Sequence, residues 1–142
     1  MRCHRRLPAP DRRAGVAAAE FAVLMPFLVF IFLLGVDYAR LFYHFVTITD
    51  CARSGALYGC IDSAHAQDSA GIQAAALADA TNLSPTPTIT SAVGTDADGH
   101  PCVQVTAAYT FRMITSYAGI PSSFDLSRTV QMRVAPVLPK NS

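Results

Sequence analysis

One uninterrupted apolar run, residues 16–36, constrains this chain more than any other feature, and its only ionisable side chain is Glu20. At ~1.5 Å of rise per residue, a helix over that run is roughly 31 Å long, about the thickness of a bilayer's hydrocarbon core. The run therefore predicts a single membrane crossing. Arg2, Arg5, Arg6, Arg12 and Arg13 precede it, whereas the far flank opens with Asp37 and has only Arg40 and then Arg53 nearby. Basic residues concentrate on the cytoplasmic side of a span, so the amino-terminal side is expected in the cytoplasm and the bulk of the chain is expected to be exported. A cleavable secretory signal would have an apolar core of about 7–15 residues ended by a small-x-small site. Here the run is longer, and Leu34-Gly35-Val36-Asp37-Tyr38-Ala39-Arg40 is a poor site.

The lone acid carries a second message. Insertion of a carboxylate at the bilayer centre costs about 2.5–3.5 kcal/mol, and less near a helix end where the group reaches the interface. A cut between Gly15 and Val16 would make Glu20 the fifth residue of a chain with a new, positively charged α-amine. A carboxylate one turn into that helix complements both the amine and the positive end of the helix dipole, in its own chain or in a neighbour. The functional reading of Gly15, Val16 and Glu20 is thus a processing site.

A basic leader, a glycine, an acid five positions later and then an apolar helix resemble a type IV prepilin processing site. The neighbouring residues narrow the resemblance. Ala18-Ala19-Glu20-Phe21-Ala22-Val23-Leu24-Met25-Pro26, then Gly35-Val36-Asp37-Tyr38-Ala39-Arg40-Leu41-Phe42-Tyr43, then Cys51-Ala52-Arg53-Ser54-Gly55-Ala56-Leu57-Tyr58-Gly59 resemble the TadE-like family, pseudopilins of the tight-adherence (Tad) pilus system. The resemblance is dense from about residue 14 to residue 59. It implies a minor pseudopilin that a prepilin peptidase cuts after Gly15, in a bacterial inner membrane or, once processed, periplasmic or pilus-associated. Its implied partners are the membrane, that peptidase, and other Tad pilus assembly subunits and pseudopilins. Phe21 stands where related major pilins commonly carry tyrosine, and the chain is longer than they are, which points to a minor subunit. The alternative is an uncleaved bitopic membrane protein whose exported domain binds something unrelated to pili.

Four segments follow: a basic leader (1–15), the transmembrane helix (16–36), an exported helical extension (37–60) and an exported domain (61–142). The chain has 142 residues and is 51% hydrophobic, concentrated at the front, so the rest is expected to be one small domain. Five of its 11 basic side chains precede the cut against a single acid, Asp11, leaving a mildly acidic remainder. That balance argues against nucleic acid, and against an anionic membrane surface, as a partner.

Tyr38, Leu41, Phe42, Phe45, Ile48, Ala52 and Ala56 recur at three- and four-residue steps, which predicts that the helix continues to about Tyr58. Gly55 and Gly59 form a Gly-x-x-x-Gly pair, and Gly35 with Ala39 a similar one. Such spacing admits a close neighbour, chiefly in membrane helices, and Gly59 also suits a helix end. Residues 61–69 read as a polar connection and 70–81 as a short second helix, ended by Pro85 and Pro87. Residues 88–93, 102–111 and 124–134 read as strands, with a hairpin turn at Asp98-Gly99. The fold class is therefore α+β: a long amino-terminal membrane-spanning helix, then a small exported domain with a short helix and a three-stranded antiparallel sheet. This order fits the pilin-like plan that the resemblance implies.

Cys3 falls in the leader, leaving Cys51, Cys60 and Cys102. Export favours disulfides. Cys51 and Cys60 are about 13 Å apart along one helix, beyond the reach of a bond. The expected bridge is Cys60–Cys102, from helix end to strand start, with Cys51–Cys102 as the rival. Nothing predicts an enzyme, a cofactor or a metal centre: His44, His65 and His100 lack ligand spacing, and the serines lack an elbow motif or paired base. Asp96, Asp98 and Gly99 lack the later ligands of a calcium loop and read as a solvated turn.

Overall fold

The computed structural model describes residues 12–114 and 121–136. Most of the expected leader lies outside the described residues, as does the middle of the loop after residue 112. A 48-residue helix, α1 (Arg12–Gly59), opens the described chain. By its contacts the chain forms two compact units that divide between Val36 and Asp37.

In the first unit α1 shows its apolar side chains to the outside. Val23 is 79% and Phe32 70% exposed, and no residue of the most apolar window is buried inside the protein. A soluble protein's core helix would be covered, so this surface calls for lipid or a partner. Among the described residues, one helix is thus long and apolar enough to anchor the chain by a single pass. Pro26 sits inside this stretch. It cannot donate to the carbonyl four residues earlier, a loss membrane helices tolerate when a neighbour satisfies that group.

The second unit joins the distal half of α1 to two short helices, α2 (Ser63–Gln67) and α3 (Ser69–Ala78), and three strands: β1 (Thr88–Thr95), β2 (Pro101–Arg112) and β3 (Ser123–Arg133). The strands form an antiparallel sheet in the order β1-β2-β3. The connection expected to be irregular contains α2, because aspartates cap both helix starts. Asp62 accepts the His65 amide at 2.8 Å and Asp68 accepts the Gly71 amide at 2.9 Å, satisfying N–H groups that each helix leaves without a partner.

The period of two along β2 separates its faces. Val103, Val105, Ala107, Tyr109 and Phe111 are all buried, and they share the core with Ile48, Ala52, Ala56, Ile72 and Ala76. The opposite face is polar, with Thr90, Thr106 and Thr129 in one row across the sheet, as expected where one side of an antiparallel sheet is solvated. At the β1–β2 turn Gly99 takes φ +82°, a left-handed conformation that favours glycine. Asp96 accepts the amides of Asp98 and His100 at 2.9 and 3.0 Å. Arg133 pairs with the carboxylates of both Asp96 and Asp98, so the chain supplies its own cation to this acidic turn.

β2 runs antiparallel to α1. Phe111 lies under Arg40, Tyr109 stacks on His44, Val105 faces Gly55 and Val103 faces Gly59. From residue 40 to 59 a helix rises roughly 28 Å, and from 103 to 111 a strand rises roughly 27 Å. Helix and strand are therefore matched in length over the whole core. A Cβ added at Gly55 would come within 3.1 Å of Val105 and 3.2 Å of Ala76, and one at Gly59 within 3.0 Å of Val103. The Gly-x-x-x-Gly pair is thus used inside the domain, to let the sheet and α3 approach the helix.

Two expectations are corrected here. Tyr38 and Phe42 are 70% and 60% exposed, so they do not belong to the core stripe. That stripe runs instead through Asp37, Leu41, His44, Ile48, Ala52 and Ala56, on an adjoining side of the helix. The Cys60–Cys102 disulfide is also not formed: Cys51, Cys60 and Cys102 are free thiols. Even-numbered residues of β2 face away from α1, and the Cys102 sulfur accepts a hydrogen bond from Gln131 on that outer face at 2.9 Å. The same alternation removes the Cys51–Cys102 rival, since Cys51 is buried on the inner side.

Candidate functional site

Gly15, Val16 and Glu20 all lie on α1, near its amino-terminal end at Arg12. The first four amides of a helix lack internal acceptors and fray readily. A bond after Gly15 therefore lies where only one turn must open to present it. Val16 and Glu20 are four residues apart, on one face of the helix, and helical side chains lean towards the amino terminus. Glu20 is exposed and forms no ion pair among the described residues. A new amine at Val16 would thus arise on the side towards which the Glu20 carboxylate leans.

Gly15 also differs from the helical glycines of the second unit. A Cβ at Gly15 would meet nothing within 4 Å, whereas at Gly55, Gly59 and Gly71 it would meet neighbouring side chains. Glycine in a helix costs about 1 kcal/mol relative to alanine, and among the described residues no packing at residue 15 offsets that cost.

At the start of the second unit, Asp37 is 2% exposed, whereas in the sequence it reads only as a flanking charge. Its carboxylate accepts the Ile114 amide at 3.1 Å and the Arg40 guanidinium at 3.3 Å. It therefore ties the segment after β2 to the helix. The available signal was Arg40 three residues later, on the same helix face. One turn further on, the His44 ring packs against Tyr109 and Phe111, with centroids 5.2 and 5.3 Å away. Burial, reinforced by the Arg40 charge, holds the His44 pKa below the usual imidazole value.

Arg128, on the helix-facing side of edge strand β3, lies 4.3 Å from the centroid of the Phe45 ring. Tyr58 donates to the same Asp68 carboxylate that caps α3. These contacts bind element to element and enclose no nucleophile–base pair. No cluster of three or more potential metal ligands occurs among the described residues.

The matched portion is the helix that carries both Glu20 and Asp37. Residues 15–57 match the model of the TadE-like protein family. The TadE-like segment begins at Gly15 itself and ends within the part of α1 packed on the sheet. It points to a component related to the Tad pilus and associated with a membrane. It covers less than half of the chain, and the strands lie outside it. Neither the curated proteins nor the solved structures gave a match to the chain.

Proposed function

We propose that the chain is a minor pseudopilin of the tight-adherence pilus, cut after Gly15 by a prepilin peptidase and then assembled with other subunits of that system. The observation that carries the reading is the position of Gly15: a helical glycine whose Cβ would meet nothing within 4 Å, as at Gly35, but which lies five positions before the only acid of the apolar run 16–36. A peptidase that demands a small residue at the cut explains a glycine the domain does not need. Glu20 would then neutralise the new amine, in its own chain or in a neighbour, and the exposed apolar surface of α1 would be covered by lipid before assembly and by other helices after it. The arginines before Gly15 support a cytoplasmic leader with the α+β unit exported. The role is structural and not catalytic.

Processing is read directly from the protein extracted from membranes. A mature amino terminus at Val16 is expected, whereas one at Met1 overturns the processing claim and leaves the uncleaved bitopic protein. Thiol counting in denaturant gives a second readout, because Cys3 leaves with the leader and only Cys51, Cys60 and Cys102 should label. Gly15→Phe should abolish the cut while leaving the domain folded, since the added side chain meets open space.

A further inference from the structure

Within the second unit a groove of about 570 Å³ runs along the side of α1 that the sheet does not cover. Its floor is Tyr43, Val46, Asp50, Arg53 and Leu57, at steps of three and four residues. One face of the helix therefore supplies them, over about 21 Å of rise. Its wall is the segment that follows α3: Asp79 accepts a hydrogen bond from Ser54, and Asn82 donates to the Tyr43 hydroxyl. Those two contacts fasten the wall to the floor. Tyr43, Val46 and Leu57 are nonetheless 53%, 42% and 50% exposed, apolar positions on either side of a polar centre.

That centre is acidic. Asp50 and Asp79 line the groove against Arg53 alone, and neither Asp50 nor Arg53 forms an ion pair among the described residues. Burial first, and then Asp79 and Asp50, push up the pKa of the Cys51 thiol, so both carboxylates act on one point of the helix. Two carboxylates that share a site repel, and one added cation relieves both. The surroundings have the same sign: residues 41–95 contain Asp50, Asp62, Asp68 and Asp79 but a single arginine or lysine, Arg53.

Shape and charge together select the occupant. Side chains spaced by three and four along a helix pack against another helix, ridge into groove. A second copy seated face to face would set four acids against four, with one arginine on each side. An anionic lipid would meet the same repulsion. We propose that the groove seats a helix of a different protein chain, with one lysine or arginine beside Asp50 and Asp79 and apolar side chains on Tyr43 and Val46 at one end and on Leu57 at the other. The inference deepens the assembly role proposed above, from which it takes only that the exported unit meets another chain; it does not need the cut after Gly15.

The test places the photo-cross-linker p-benzoyl-phenylalanine at Val46 of the full chain, irradiates intact cells that make the protein natively, and sequences the cross-linked peptide by mass spectrometry. The expected adduct is to a peptide of another chain with a lysine or arginine flanked by apolar residues at helical spacing. The same label at Gln104, on the outer face of the sheet, should not capture that peptide. Asp50→Lys should lower the Val46 yield about tenfold or more, as a like-charge contact would, with an unchanged circular dichroism spectrum because Asp50 is exposed. Changing the captured basic residue to glutamate in the Asp50→Lys background should restore the yield. An adduct to a second copy of this chain or to lipid, a captured peptide without a basic residue, a yield indifferent to Asp50→Lys, or no adduct at Val46 overturns the proposal. A mature terminus at Val16 without the Val46 adduct removes the groove and leaves processing intact, whereas a terminus at Met1 with the adduct does the reverse.

Discussion

His44 shows how one side chain links the helix to the sheet and to pH. Its ring lies between α1 and β2 against Tyr109 and Phe111, with Arg40 as the charge that lowers its pKa alongside burial. Because its pKa is lower folded than unfolded, the neutral ring favours the folded state. Stability is therefore full above the unfolded value of about 6.5, falls as pH drops through it, and stops falling once the folded ring is itself protonated. Thermal melts of the full chain in neutral detergent should show this loss in the wild type and much less of it in His44→Phe. An identical slope in the two proteins would remove His44 from the account. Asp62, Asp68 and Asp96 are all held below the ordinary carboxylate value of 3.8, chiefly by backbone amides. Their contribution is present above that value and is lost in a separate, more acid window.

Among the elements, α1 is where glycine substitutions should part company. Gly59→Leu would drive a side chain into Val103 and Ile72, and overpacking of this kind costs about 1–3 kcal/mol. Gly15→Ala meets open space and should stabilise the helix, by at most about 1 kcal/mol. Denaturant titration followed by circular dichroism orders the two variants, and a Gly59→Leu protein as stable as the wild type would contradict the close approach of helix and sheet. The element types were legible because α1 is long and β2 alternates over its whole length. The α2 helix was not, since Ser63–Gln67 has no apolar period and depends on its two aspartate caps. The exposure of Tyr38 and Phe42 is not legible, because a stripe of aromatic residues reads as core, whereas the true line includes the polar Asp37 and His44. The proposed processing site at Gly15, Val16 and Glu20 rests on the sequence pattern; the Asp37–Ile114 contact was not legible there, because it joins residues 77 positions apart.

For the whole molecule, the cysteines give the clearest prediction. Cys51 is fully buried and its thiol pKa is pushed up, first by burial and then by Asp79 and Asp50. Cys102 is 3% exposed, and Cys60 is only partly covered. Of these three thiols in the folded protein, a reagent should therefore modify Cys60 first, with Cys51 and Cys102 reacting only on unfolding. A band shift on omission of reductant, caused by an internal Cys60–Cys102 bond, would contradict the outward face of Cys102. The domain accordingly depends on packing and hydrogen bonds, and a reducing medium should leave its melting temperature unchanged.

Gly55 and Gly59 turn one flank of the rod inward, while Tyr38, Phe42 and Leu57 stay uncovered on the other. Cohesion of the subunit and sociability of its surface are thereby assigned to separate sides of a single helix. Mutation can retune the outer side for new company without loosening what lies beneath.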